Sequence, residues 1–418
     1  MPYVFKADIS KEEFNKYIKD FSNASIMQTT AWADLKSDGW KSVYCGIFND
    51  DDICGCCLLL IKKMPLGFNM GYCPRGPVFN LKDKELVEVF SKGIKEYAKS
   101  KNIYSIKIDP QIIEGLSLPE LAEGSYYNPF EIDKESFGNL TSCGFVHKGF
   151  SKDLHEYIQP RYNAFVPLRK NEEEPLSYDE LKKNCRSSIR KFIGGFQKSH
   201  GIFLDSPEIN SETLDEFVSF IKMTEEKQGI HLRDREYFVR ITQAFGKDAK
   251  IFFAKCDLSV YMECLKTRIN AKGEDPEIVK KKMEEVKELI SHRGNVVTLA
   301  AMLFIMPPNV KGIKVAEYLY AGSDASFKAF NVTVHSALFD AMRYCIEKNC
   351  DFVNFGGVAG DFNDGLYQFK ARFNPVFIEY AGEFDLIVLP LKYKLSEKYL
   401  PKAITLYKKI VRLFKKNK

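Results

Sequence analysis

Residues 100–109 read SKNIYSIKID and residues 347–356 read EKNCDFVNFG. Each joins a Lys-Asn helix end to an alternating apolar segment that suits a strand. The match is short, so its weight comes from what precedes each copy. Ahead of the first, Phe14, Tyr17, Ile18 and Phe21 stand at helical spacing within residues 11–22, and a second short helix fits TTAWADLKSDG. Ser42 to Phe48, Ile53 to Lys62 and Gly71 to Phe79 are apolar or alternating runs separated by acidic and Pro-Gly loops, which predicts an antiparallel meander. Residues 83–101 then carry Leu86, Val89, Phe90, Ile94 and Ala98 at helix spacing and lead into the strand IYSIKIDP.

Ahead of the second copy the order recurs. Glu216 to Lys222 and Arg235 to Phe245 read as helices, IFFAK, VVTLAAMLFI and VAEYLYAG as strands, Val332 to Lys348 as a helix and DFVNFGG as the closing strand. Mixed sheets with packed helices, present twice, predict an α+β duplication with a cleft between the halves, where binding sites are favoured. The first domain is expected at residues 1–158, completed by the C-terminal segment 381–418, and the second at 159–380. Between IFFAK and VVTLAAM, Leu258, Met262, Leu265 and Ile269 repeat at heptad intervals, as do Val279, Met283, Val286 and Ile290. Gly273 separates the two runs, and Asp275 with Pro276 supplies an N-cap and a first-turn proline. A short antiparallel helical arm over 257–293 is therefore predicted, a pattern that more often covers a sheet edge than meets a partner.

The 418 residues suffice for more than one core, and 45% of them are hydrophobic against 28% charged, which is the balance of packed domains. With 61 basic and 56 acidic residues the net charge is +5, too small for nucleic-acid binding by bulk charge, so any RNA or phosphate contact must be local. MPYVFKADISKEEF at the N-terminus contains acids and no apolar signal core, and no run approaches a membrane helix in length, so a cytoplasmic protein is expected. The 11 cysteines are scattered; Cys54, Cys56 and Cys57 fall in the strand-like ICGCCLLLI with no second ligand pair, which predicts reduced core thiols. The six histidines form neither HxxxH nor HExxH, and no metal is expected. Residues 402–418 hold seven Lys and Arg and no acid, with Ala403, Tyr407, Ile410 and Phe414 on one helix face. That face suits docking on the core and, equally, contact with an anionic membrane surface or RNA.

Walker loops, a GxGxxG after a strand and a nucleophile elbow are all absent, which argues against ATP hydrolysis, dinucleotide redox and α/β-hydrolase chemistry and leaves group transfer. The meander with its following helix and strand resembles the acetyltransferase (GNAT) fold, but neither copy has an RxxGxG or QxxGxG turn for a CoA pyrophosphate. Six segments together resemble the Fem family, the non-ribosomal aminoacyltransferases that build peptidoglycan interpeptide bridges from aminoacyl-tRNA. They are QTTAWADLKSDGW (28–40), IKIDP (106–110), GIHLRDREYF (229–238), EYLYAGSD (317–324), FVNFGGVAGDF (352–362) and YQFKARFNP (367–375). The resemblance spans nearly the whole chain. It implies two tandem GNAT-like domains, an arm that engages tRNA in some members, aminoacyl-tRNA as donor, and lipid II or UDP-MurNAc-pentapeptide as acceptor. Lipid II is favoured because residues 402–418 would hold the chain at the inner face of the plasma membrane. No cofactor is implied, since the donor ester is already activated. A GNAT-like acyltransferase with another activated donor, or a non-catalytic tRNA- or membrane-binding module, are the alternatives.

An acceptor diphosphate needs cations, and Lys36 and Arg233 in the matched segments are the candidates. Tyr237 follows Arg233 by one helical turn and can face the same cleft. Tyr318 and Tyr320, two apart on a strand, are expected to share a face. Aminoacyl transfer to an amine passes through a tetrahedral oxyanion that a fixed cation stabilises. The resemblance puts the Phe369–Lys370 pair at the active site, with Lys370 in catalysis. The attacking amine must lose a proton, and Asp109 at the end of IKIDP is the candidate base, with tRNA phosphate or water as other acceptors.

Overall fold

Both matched segments enter a strand from a helix: Lys84–Ser100 leads into Ile103–Ile108, and Thr333–Glu347 into Phe352–Val358. Asn102 and Asn349 both turn at φ 55°, the left-handed region that asparagine tolerates better than most residues, so the shared Lys-Asn marks one repeated helix exit. Each strand pairs parallel with the last strand of the preceding meander, Asn69–Cys73 in the first half and Val315–Ser323 in the second. Parallel neighbours need a long crossover, and the two helices supply it. In this computed structural model, residues 2–21, 24–64, 67–117, 126–194, 200–307, 311–324 and 333–399 are described. The basic segment 402–418 lies outside them.

The first sheet runs Val4–Ala7, Lys41–Asn49, Asp52–Lys63, Asn69–Cys73, Ile103–Ile108, Phe384–Ile387, Phe145–His147. The second runs Ile113–Ser117, Val376–Tyr380, Tyr162–Pro167, Phe352–Val358, Val315–Ser323, Val296–Ile305, Ala249–Asp257, Ile202–Asp205. This is the duplicated α+β architecture expected from the repeated element order, with one feature the periodicity does not reveal. Ile113–Ser117, inside the span assigned to the first domain, is an edge strand of the second sheet, while Phe384–Ile387, in the C-terminal segment expected to complete the first domain, lies within the first sheet. The returning strand is held by buried charge: Lys107 Nζ lies 2.6 Å from Glu383 and 3.0 Å from Asp385. A shared core joins the halves, with Trp32, Tyr44 and Leu58 packed in one cluster with Phe217, Phe238 and Phe253.

Two expected elements change length. The strand expected to reach Phe79 stops at Cys73, because Pro74 and Pro77 cannot donate to a ladder and Arg75 turns at φ 52°; only Val78 rejoins, through a bridge to Cys56. The helix expected at Glu216 to Lys222 runs Ser211–Gln228, capped by Asn210 and closed by Gly229 at φ 64°. The arm forms as Leu258–Arg268 and Pro276–Arg293, capped by Asp257 and Asp275. Its seam residues Leu258, Met262, Leu265, Val279 and Val286 are buried with Ile202, Cys256, Val297 and Leu299 at one end of the second sheet. No described helix is long and apolar enough to cross a membrane.

Candidate active site

A cleft of about 1030 Å³ separates the halves, and the second sheet opens onto it for a topological reason. The parallel strands Val315–Ser323 and Phe352–Val358 pair only from Val315 to Glu317 against Phe352 to Asn354, then part. Tyr318, Phe355, Gly356 and Gly357 line the gap beyond the fork. Glu317 stands at the fork and accepts a hydrogen bond from Asn354 Nδ2 at 2.9 Å. Burial pushes its carboxyl up to about 7, opposed by the Arg75 guanidinium and by the Asn354 hydrogen bond. Lys370 closes the helix Gly365–Lys370, whose first turn is fixed by Asp364 accepting from the Tyr367 N–H at 2.6 Å. Its ammonium, on a side chain that leaves the residue 4% exposed, donates to Gly357 O at 2.7 Å. Burial lowers it to about 7, with Asp364 pulling the other way. An acid and a base thus approach neutrality from opposite sides, both tethered to one strand, through Asn354 and Gly357.

Arg75 and Tyr380 also line the cleft. The Arg75 guanidinium lies 4.5 Å from the Tyr380 ring centre and donates through Nη2 to Pro160 O at 2.7 Å. Asp109 sits behind this turn and does not line the cleft. It is 1% exposed, and its oxygens accept the Tyr72 hydroxyl at 2.7 Å and the Arg75 backbone N–H at 2.5 Å. Burial raises its carboxyl to about 6. Both oxygens are thus engaged inside the protein, on the Tyr72 hydroxyl and on the backbone of the turn that carries Arg75, and neither faces the cleft where the expected base would act.

The other expected residues fall into two groups. Phe369 packs away from the cleft against His335, 4.9 Å between ring centres, and thereby seats the helix that carries Lys370. Tyr318 lines the cleft beside Phe355, at 5.7 Å. Tyr320 does not share its face. A register shift opposite Leu303 and Phe304 sends Tyr320 against Phe238 at 5.1 Å and Tyr237 at 6.1 Å, while Tyr318 packs on Phe304 at 5.2 Å. A bulge inserts one residue and so reverses the two-residue alternation assumed from the sequence.

Lys36, Arg233 and Tyr237 do come together. Lys36 Nζ lies 4.6 Å from the Trp32 ring and 5.4 Å from the Tyr237 ring, and the Arg233 guanidinium lies 5.0 Å from the same tyrosine. Burial, then the charges of Arg233, Arg240 and Lys62, lower the Lys36 ammonium to about 8. Neither Lys36 nor Arg233 makes an ion pair among the described residues, and Leu232 beside Arg233 lines the cleft. Crowded cations on aromatic faces are suited to a polyanion at the cleft's rim. Sequence reasoning missed Glu317, Asn354 and Arg75. The available signals were an acid in the strand before a parallel crossover, and an Arg-Gly between two prolines in an apolar run. Among the described residues no His, Cys, Asp or Glu cluster could hold a metal ion.

The sequence model of the FemAB family matches residues 9–279 and 268–400. The lipid II:glycine glycyltransferase of Staphylococcus epidermidis is 28% identical, over 98% of this chain and 99% of its own length. The enzyme of that name from Staphylococcus aureus is 27% identical with the same coverage. The crystal structure of FemX aligns with a TM-score of 0.74 at 24% identity, covering 94% of this chain and 99% of that one, a likeness of fold.

Proposed function

The chain belongs to the FemAB family, and on that premise we propose that it transfers an aminoacyl group from aminoacyl-tRNA to the peptide stem of lipid II. The observation that carries the reading is the cleft in which Glu317 and Lys370 are held on one strand with ionisations brought near neutrality. An amine of the acceptor attacks the ester carbonyl of the donor, forming the C–N bond and a tetrahedral oxyanion. The Lys370 ammonium stabilises that charge, and Glu317 takes the proton the amine must lose. Collapse breaks the bond to the ribose oxygen, which receives the proton from Glu317, so atoms and charge balance. Lys36 and Arg233 bind the acceptor diphosphate, with Tyr237 beneath them. Tyr318 forms part of the wall next to the reacting groups, and Tyr320 supports Tyr237 from behind. The names of the relatives make glycine the first amino acid to try.

Purified protein incubated with lipid II and a mixture of charged tRNAs should yield lipid II heavier by one or more aminoacyl residues in mass spectra. Products that require acyl-CoA and form without charged tRNA would replace this reading with an acyltransferase using a different donor.

A further inference from the structure

We propose that Arg75 anchors a carboxylate of the acceptor's peptide stem in the cleft, an inference that rests on the transfer reading above. A guanidinium carries five N–H donors and keeps its charge in proteins. Arg75 is 8% exposed, yet among the described residues its side chain has one hydrogen bond to a carbonyl, Pro160 O, and one aromatic face, Tyr380. No carboxylate of the described residues lies within ion-pair distance of it. The two acids that feel its field are committed elsewhere, Asp109 to Tyr72 and the Arg75 backbone, Glu317 to Asn354. A buried cation without a counter-ion is costly, and the open edge of this one lines the cleft that holds Lys370.

The turn that presents it is built rigidly. Arg75 sits at φ 52° with its N–H on the buried Asp109, and a Cβ on the next residue, Gly76, would come within 2.7 Å of Cys73 Sγ and the Gln28 side chain. A planar guanidinium fork matches the two oxygens of one carboxylate. A run of phosphates calls for several cations, and those gather around Lys36, Arg233 and Arg240 instead.

The test is calorimetric binding of soluble stem peptides to the full chain, with each peptide carboxylate amidated in turn. Wild type should lose about tenfold or more in affinity for one of these amides. Arg75→Gln should bind the parent acid as weakly as that amide, and Arg75→Lys, with charge but no fork, should show a reduced acid-to-amide ratio. Circular dichroism establishes that each variant is folded, and if Arg75→Gln is not, the Arg75→Lys ratio decides alone. The proposal is overturned if no amidation changes affinity more than about twofold, if both variants discriminate as wild type does, or if they lose affinity for uncharged tRNA rather than for peptide. A parent peptide that does not bind also overturns it. The transfer assay with lipid II would still succeed in those cases, which separates this failure from failure of the transfer reading.

Discussion

Lys370 is a desolvated cation kept in place by one carbonyl, a placement that favours chemistry over stability. Lys370→Met should lower turnover by about 10² or more while leaving acceptor affinity nearly unchanged. The same variant should melt at a higher temperature at pH 7. Because the folded pKa lies near 7 and the ordinary value is 10.5, burial opposes folding fully below pH 7. That penalty fades as pH rises toward 10.5, so the melting difference should shrink over the same interval. A variant that melts lower at pH 7 would mean the ammonium is better satisfied than its surroundings imply. Glu317 must be ionised and Lys370 protonated for the proposed steps, so kcat/KM should fall on both sides of about pH 7. Glu317→Gln should slow transfer about 10²-fold or more and abolish the acid limb; an intact acid limb would assign the proton to another group. At the rim, Lys36→Ala and Arg233→Ala should each weaken binding of the diphosphate-bearing acceptor by ~1–3 kcal/mol. Since Lys36 sits near 8, binding at pH 8 should also take up protons, seen as a dependence of calorimetric heat on buffer. Equal affinity for the intact acceptor and its diphosphate-free form would remove these residues from that role.

At the scale of elements, the two crossover helices end through the same device. Asn102 and Asn349 hold φ 55°, where a Cβ-bearing residue without asparagine's local hydrogen bonding is strained. Asn349→Ala should cost about 1 kcal/mol in urea unfolding and Asn349→Gly close to nothing. Equal loss in both would point to a side-chain contact instead of the backbone. This device was legible beforehand, because Lys-Asn before an alternating run is a local signal. The bulge in Val315–Ser323 was not, because it arises from how Leu303 and Phe304 register across the sheet. The apparent strand through Phe79 failed for the opposite reason: its hydrophobicity outweighed two prolines, and the turn so hidden is the one that presents Arg75.

Across the whole molecule, strand exchange makes the halves mutually dependent. Phe384–Ile387 completes the first sheet only after the chain has built the second, and the half-buried Lys107 paired with the buried Glu383 and Asp385 holds it there. Residues 402–418 hold seven Lys and Arg and no acid, a composition that bears on lipid II as acceptor. Each Lys or Arg close to an anionic leaflet contributes about 1 kcal/mol before losses from incomplete contact. The full chain should therefore sediment with anionic vesicles at low salt, and a truncation at Leu400 should not. Absent binding by both forms, or equal binding, would leave the choice of lipid II without support from this segment.

Sequence alone determined the duplicated α+β order, the helical arm and the membership of Lys36, Arg233, Tyr237 and Lys370 in recognisable segments. Helix and strand periods, caps and turn residues act over a few neighbours, and a reader of the chain sees them directly. Only the tertiary structure decided that Asp109 is enclosed, that Tyr318 and Tyr320 part company, and that Glu317 and Arg75 occupy the cleft. Burial, cross-strand register and the desolvation that moves an ionisation toward neutrality depend on residues hundreds of positions apart in the chain. Arg75 and Tyr380 become neighbours only when both sheets have closed around them.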